Sequence, residues 1–318
     1  MNMTILNYKA ITLIILLISH NHIFAHNKQR QSAASRNNAA VPEYSGGRLG
    51  DNLLAIAHTL YYCMQTNCKM LYTPFPYSDQ LMLDELVEKY TPTKTSQKNN
   101  LVPFYALLRK GKARIKNAII TIPYFPETLI EHKAMPRPSF LMHWEDEAFQ
   151  QKLRQILAPK EPCMLVRPPA NIFSVAVHVR TGGGFDDWKG DQEIIRYKSP
   201  LDEYYINQLK NISQLLGGIP IYAFLFTDDK NPEVLAKTIE ENVNIPSIHF
   251  DYRKKDNSHH NNVLEDLFSM THFDALIRPE SNFSIMAEKL GQHKIIISPG
   301  KFLPNSYLQS GVITIKSF

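Results

Sequence analysis

Ser174-Val175-Ala176-Val177-His178-Val179-Arg180-Thr181-Gly182-Gly183-Gly184 runs from small and β-branched residues straight into a histidine, an arginine and three glycines. The first half reads as a buried strand. The second half reads as the loop into which that strand delivers a cation. In open α/β sheets, ligands bind beyond the carboxyl ends of parallel strands. Glycines there let backbone approach a ligand, and an arginine can hold two phosphate oxygens at once. A solvent-facing arginine beside a flexible turn fits this stretch equally well, so its neighbours must decide.

Downstream, strand and helix signals alternate. Ser199-Pro200-Leu201-Asp202 reads as a helix start with proline in the first turn, and the helix should stop at Gly217-Gly218. A strand is expected at Ile221 to Phe226, a helix at Pro232 to Glu241 and a strand at Ser247 to Phe250. Then come a helix at Asn262 to Met270, a strand at Ala275 to Ile277, a helix at Ser281 to Leu290 ended by Gly291, and a strand at Lys294 to Ile297. This order predicts a doubly wound parallel sheet. The first half is mixed but less regular. Gly46-Gly47-Arg48-Leu49-Gly50-Asp51-Asn52 reads as a turn leading into a helix from Leu53 to Met64, with strands at Lys69 to Thr73 and Ala118 to Ile122 and a helix at Asp146 to Leu157. The proline-rich run Pro159 to Pro169 reads as a linker. The expected fold class is therefore α/β with two lobes, residues 41–170 and 171–318.

The chain has 318 residues, 44% of them hydrophobic, enough for two ordinary domains and against a disordered chain or a small stapled scaffold. Its net charge of +5, without a dense Lys/Arg block, permits an anionic ligand and argues against a nucleic-acid partner. Lys9, the apolar run Ala10 to Ile18 and a cleavage point after Ala25 give residues 1–25 the plan of a signal peptide, or of a short signal anchor. Residues 26–40 then read as a polar stem. Export or the secretory pathway is the expected destination, with membrane attachment only through this segment. The three cysteines, Cys63, Cys68 and Cys163, match neither a disulfide framework nor a zinc site. Cys63 and Cys68 could pair in an oxidising compartment, but Cys63 reads more readily as a small buried apolar residue.

If the second lobe is a parallel sheet, residues that follow its strands become neighbours. They are His178 and Arg180; Thr227-Asp228-Asp229; and Pro279-Glu280-Ser281-Asn282-Phe283-Ser284, which opens a helix. A helix N-terminus favours phosphate through its unpaired N–H groups and its dipole, while Ser281 also serves as an ordinary cap. Asp266, early in the preceding helix, could accept two hydrogen bonds from guanine or simply complement the helix dipole.

His178-Val179-Arg180-Thr181-Gly182, Phe226-Thr227-Asp228-Asp229, and Asp266 to Asp274 with Ser281-Asn282-Phe283-Ser284 resemble the three ordered motifs of the GDP-fucose-dependent fucosyltransferase superfamily, which includes α-1,2, α-1,6 and protein O-fucosyltransferases. Gly46 to Asn52 resembles its N-terminal glycine loop, so the resemblance spans Gly46 to Leu290. It implies a GT-B-like fold of two Rossmann-like lobes, with the donor site in the C-terminal lobe. It implies an inverting glycosyltransferase taking GDP-fucose as donor and a glycan or glycoprotein as acceptor. Residue by residue, Arg180 would bind the β-phosphate, His178 would face the ribose and diphosphate, Asp266 would read guanine and Ser281 would touch phosphate, with Asn282, Phe283 and Ser284 beside it. Asp229 would support the first motif, and Gly50, Asp51 and Asn52 would face the sugar.

This chain departs from the pattern at two places: Gly183 and Gly184 precede Phe185-Asp186-Asp187, and Asp51 stands where many members have asparagine. No metal is expected, because Arg180 and the Ser281 helix end can together stabilise a leaving diphosphate. Asp186, Asp187, Asp191 and Asp51 are the carboxylates available as a base, and Trp188 could stack on a sugar. Two other readings are a GT-B enzyme with a different nucleotide sugar and a secreted glycan-binding protein that has this fold without catalysis.

Overall fold

The computed structural model describes residues 38–91, 101–106, 117–126, 140–181, 196–254, 257–258, 260–302 and 309–316. The expected signal segment, most of the stem, and Asp186, Asp187, Trp188 and Asp191 lie outside the described residues. Contacts gather the chain into two units. The first takes the described residues through Glu43, Ala55–Thr73 and Val87–Met142; the second takes Tyr44–Leu54, Pro74–Leu86 and His143 onward. Segments 44–54, 74–86 and 143–170, assigned by sequence to the first lobe, thus group with the second.

The first unit is built on a five-stranded sheet in the order β3-β2-β1-β5-β4, with every pair parallel. Its strands are β1 (Ala39–Glu43), β2 (Lys69–Tyr72), β3 (Glu88–Lys89), β4 (Leu101–Pro103) and β5 (Ile119–Pro123). Helix α1 (Leu49–Thr66) follows β1. The expected stem extends to Ala40, but Asn38 is already part of this fold: its Oδ1 accepts the Ala118 N–H at 3.1 Å, and Ala39 N donates to Ala118 O at 3.0 Å. Two alanines and a proline hide β1, since Pro42 cannot donate to a ladder. Pro42 is tolerated because the pairing of β1 with β2 ends at Ala40. Tyr62 of α1, Phe104 and Phe140 meet edge to face at 5.5–6.5 Å over Ile120 and Ile122.

The second unit carries a six-stranded sheet, ordered β11-β10-β9-β6-β7-β8. Four-residue α2 (Leu83–Leu86) and α3 (Glu147–Leu157) precede it. The Asp146 carboxylate caps α3 by accepting the Phe149 N–H at 3.0 Å. The strands are β6 (Phe173–Val179), β7 (Ile221–Thr227), β8 (Ile248–Tyr252), β9 (Ala275–Ile277), β10 (Ile295–Phe302) and β11 (Gln309–Ile315). Between them run α4 (Asp202–Leu215), α5 (Pro232–Val243), α6 (Val263–Met270) and α7 (Asn282–Leu290). Val175, Val177, Val179, Ala223 and Leu225 bury one face with Tyr205, Leu209 and Ile212 of α4 and Ala236, Ile239 and Val243 of α5. Alternate residues Ala176, Phe224 and Phe226 bury the other face, where Phe226 meets Phe273 at 5.6 Å. Both faces are covered, which is why the strands read as apolar runs without clean alternation.

Most expected elements are present, with shifted ends. Helix α1 starts at Leu49, not Leu53, so Gly50-Asp51-Asn52 is its first turn. Helix α4 starts at Asp202 with extended Leu201 as N-cap, two residues later than Ser199. Gly217 and Gly218 then end it at φ 67° and 76°. The last expected strand ends at Ile297, whereas β10 continues to Phe302 through a register shift after Pro299 and pairs antiparallel with β11. Proline and glycine inside β10 conceal that continuation. Among the described residues, no helix is long and apolar enough to cross a membrane.

Candidate functional site

In chain order the second sheet's five parallel strands lie 3-2-1-4-5, so the order reverses between β6 and β9. Helical crossovers leave a crevice at such a reversal. The residues that leave these two strands are Arg180-Thr181 and Arg278-Pro279-Glu280-Ser281.

His178 is the penultimate residue of β6, 8% exposed, and its ring lies 5.6 Å from that of Phe283 in the first turn of α7. Among the described residues, its Nδ1 is buried without a hydrogen-bond partner. Burial holds its pKa down to about 4; Asp228 opposes that, and the nearby charges of Arg180, Arg278 and Arg48 reinforce it. His178 is therefore neutral at pH 7, a ring among cations.

Asp228 braces the loop after β6. Its Oδ1 accepts Thr181 N at 2.8 Å and Thr181 Oγ1 at 3.2 Å. This corrects the assignment of Asp229 to that task. Asp229 instead accepts Asn231 N at 2.7 Å, closing the turn before α5, and its own N–H donates to Thr227 Oγ1 at 3.1 Å. Adjacent side chains leave a turn in different directions, which spacing cannot resolve.

On the β9 side, Ser281 is the extended N-cap of α7, 7% exposed, and its side chain makes no capping bond. Ser284, fully buried, donates back to Ser281 O at 3.2 Å, so it braces the turn from inside. Asn282 donates its side-chain amide to Asp51 Oδ1. A Cβ on Gly50 would come within 2.3 Å of Phe283 N and 2.6 Å of Asn282 C. In the glycine segment, Gly50 and Asp51 lie on the N-terminus of α7, and Asn52 is 4% exposed. Only a residue without Cβ allows that backbone approach.

Two cations beside this crevice escaped the sequence reading. Arg278, 8% exposed, donates to Glu288 Oε2 at 2.7 Å and Glu280 Oε2 at 3.1 Å. Lys198 lies in the short helical segment 196–198, held by the bond from Glu280 N to Tyr197 O at 2.8 Å. Burial lowers the Lys198 pKa, Arg180 and Arg278 add to that, and Glu280 and Asp51 oppose it. Nothing in the sequence distinguishes Arg278 or Lys198 from a solvated cation, since only folding buries them.

Asp266 stands apart from this cluster, in the first turn of α6. Arg253, just after β8, donates Nε and Nη2 to its Oδ1 at 3.1 and 2.5 Å. Burial raises its pKa to about 6 even though Arg253 pulls the other way. It thus lies beside the edge strand β8, beyond β7 from Arg180. Among the described residues, no group of three or more His, Cys, Asp or Glu is gathered as metal ligands would be.

The buried histidines set an acid limit on the fold. His58 in α1 is held down to about 3 by burial, and His178 to about 4. Their unfolded value is 6.5. The unfolded chain therefore takes up these protons first, and the stabilisation present above pH 6.5 is lost as pH falls toward the folded values. At pH 5 the loss is about 2 kcal/mol per histidine, offset by about 1 kcal/mol from the raised Asp266. Urea unfolding at pH 7 and pH 5 should show a net fall of about 3 kcal/mol; equal stability at the two values would contradict the buried neutral state.

Each unit carries a sheet of mainly parallel strands, and the fold is GT-B-like, as the similarity to FUT1 supports. FUT1 of Arabidopsis thaliana, solved as a variant in complex with GDP, is similar over 84% of this chain and 72% of its own, at TM-score 0.50 and 12% identity. The α-1,6-fucosyltransferase NodZ, from Bradyrhizobium, covers 87% of this chain and 99% of its own at TM-score 0.45 and 13% identity. The E. coli heptosyltransferase WaaC, with ADP-2-deoxy-2-fluoro heptose, covers 80% and 86% at TM-score 0.37 and 13% identity. No protein-family model and no curated protein matches the sequence.

Proposed function

We propose that this chain is an inverting glycosyltransferase that transfers L-fucose from GDP-fucose to a glycan or glycoprotein acceptor. The observation that carries this is the meeting, at the switch point between β6 and β9, of Arg180, Arg278 and Lys198 with the N-terminus of α7. Such a site suits a diphosphate: fixed cations and backbone dipoles counter the charge that grows on the leaving group as the glycosidic bond breaks. FUT1, whose fold the chain shares, holds GDP in its structure. The sequence motifs favour fucose as the transferred sugar.

In this reading, Arg180 holds the β-phosphate and neutral His178 packs by the donor without adding charge. The N-terminus of α7 at Ser281 donates to phosphate. Asp266 accepts from the guanine base. A carboxylate takes the acceptor hydroxyl's proton, from among Asp51, Asp186, Asp187 and Asp191. Residues 1–25 direct the chain into the secretory pathway. Transfer needs no metal, because protein cations do the work; full activity in EDTA is the expected result, and a loss restored by Mn²⁺ or Mg²⁺ would contradict it.

The base contact has its own test. Accepting two hydrogen bonds requires the Asp266 carboxylate, which titrates at about 6. GDP affinity should be constant above that value and fall about tenfold per pH unit below it. Asp266→Asn should weaken GDP at pH 7.5, narrow its margin over ADP and remove the pH dependence. An unchanged preference for GDP in that variant would refute the role and favour a different nucleotide sugar.

A further inference from the structure

The last turn of α1 ends in a Schellman-type closure. Asn67 adopts the left-handed conformation at φ 53°, and Cys68 N donates back to Cys63 O at 3.3 Å. That closure brings the third-from-last helical position against the second residue beyond the helix. Here both positions are cysteines, and their sulfurs share a hydrogen bond at 3.1 Å. A disulfide needs about 2.05 Å between sulfurs, so about one ångström of approach separates the two states. Cys63 is buried and Cys68 is partly exposed.

We propose that Cys63 and Cys68 are a disulfide site, oxidised by a small-molecule or protein disulfide, that staples the end of α1 to the start of β2. The partly exposed sulfur reacts first. Cys68 thiolate attacks a disulfide such as oxidised glutathione, forming a mixed disulfide and releasing one glutathione thiolate. Cys63, giving its proton to solvent, then attacks Cys68 Sγ and expels the second glutathione. One external disulfide is reduced and one internal disulfide formed. The hydrogen bond from Cys63 lowers the Cys68 pKa, whereas burial raises that of Cys63, which agrees with this order.

Cys63 and Cys68 fall on a single tryptic peptide, Leu49 to Lys69. The test uses full-length Cys163→Ser protein, equilibrated in a glutathione buffer poised as in the secretory compartments, then denatured and alkylated without reductant. The expected result is no alkylation and a Leu49–Lys69 peptide lighter by two hydrogen atoms, with both thiols recovered after dithiothreitol. In Cys63→Ser/Cys163→Ser protein, Cys68 should instead hold glutathione. Dithiothreitol should lower the melting midpoint of Cys163→Ser protein and leave that of the double variant unchanged. Alkylation of both cysteines in the oxidising buffer would overturn the proposal, as would glutathione retained on Cys68 with Cys63 present.

Discussion

Gly50→Ala is expected to destabilise the fold by about 3 kcal/mol and to weaken GDP binding with it. Intrinsic propensity argues the other way: alanine in a helix is favoured over glycine by about 1 kcal/mol, and Gly50 lies in the first turn of α1. The contact decides between them. The added methyl would lie 2.3 Å from Phe283 N, 2.6 Å from Asn282 C and 2.7 Å from Phe283 Cα, all backbone atoms of α7. Backbone cannot rotate aside as a flexible side chain can, so the first turn of α1 must separate from α7. That separation would also break the bond between Asp51 and Asn282 and shift Phe283 from His178. Urea unfolding together with GDP titration checks both effects; a variant as stable as the parent would mean that the two helix ends are not in contact.

Arg180→Ala should lower GDP affinity about a hundredfold and transfer about a thousandfold, as expected when a charged donor to a developing oxyanion is removed. The larger effect on transfer follows because the diphosphate gains charge as the sugar departs. Arg180→Lys keeps the charge without the planar fork, and should recover binding more than transfer. Thr181 and Asp228 hold the loop by bonds that Arg180 does not make, so the fold should survive. Wild-type GDP affinity in Arg180→Ala, with unchanged circular dichroism, would remove the phosphate site from the strand end.

The sequence carried β6 to β9 and the start of β10 well, because the helices between them have clear stops, such as Gly217-Gly218 and Gly291, and strands such as β6, β7 and β9 are largely apolar runs. It carried β1 poorly, since Ala39-Ala40-Val41-Pro42-Glu43 has the composition of a linker and becomes a strand only through its neighbours β2 and β5. Within the site, the placing of His178, Arg180 and the Ser281 helix start was legible because each lies at or just beyond the end of a strand on the same sheet edge. Arg278 and Lys198 were not, because burial gives a cation its meaning and burial is a property of the folded chain. That Asp228 holds Thr181 has a similar origin: which carboxylate turns toward Thr181 depends on backbone direction, not on composition.

Calorimetric titration of GDP, ADP and UDP into the purified protein tests the central claim most directly, because it separates a diphosphate site from the fold that carries it. The account predicts saturable GDP binding, at least tenfold tighter than ADP or UDP, since the Asp266 hydrogen bonds select guanine at about 1.4 kcal/mol per factor of ten. Binding of none of the three nucleotides would contradict it and leave a glycan-binding protein with this fold.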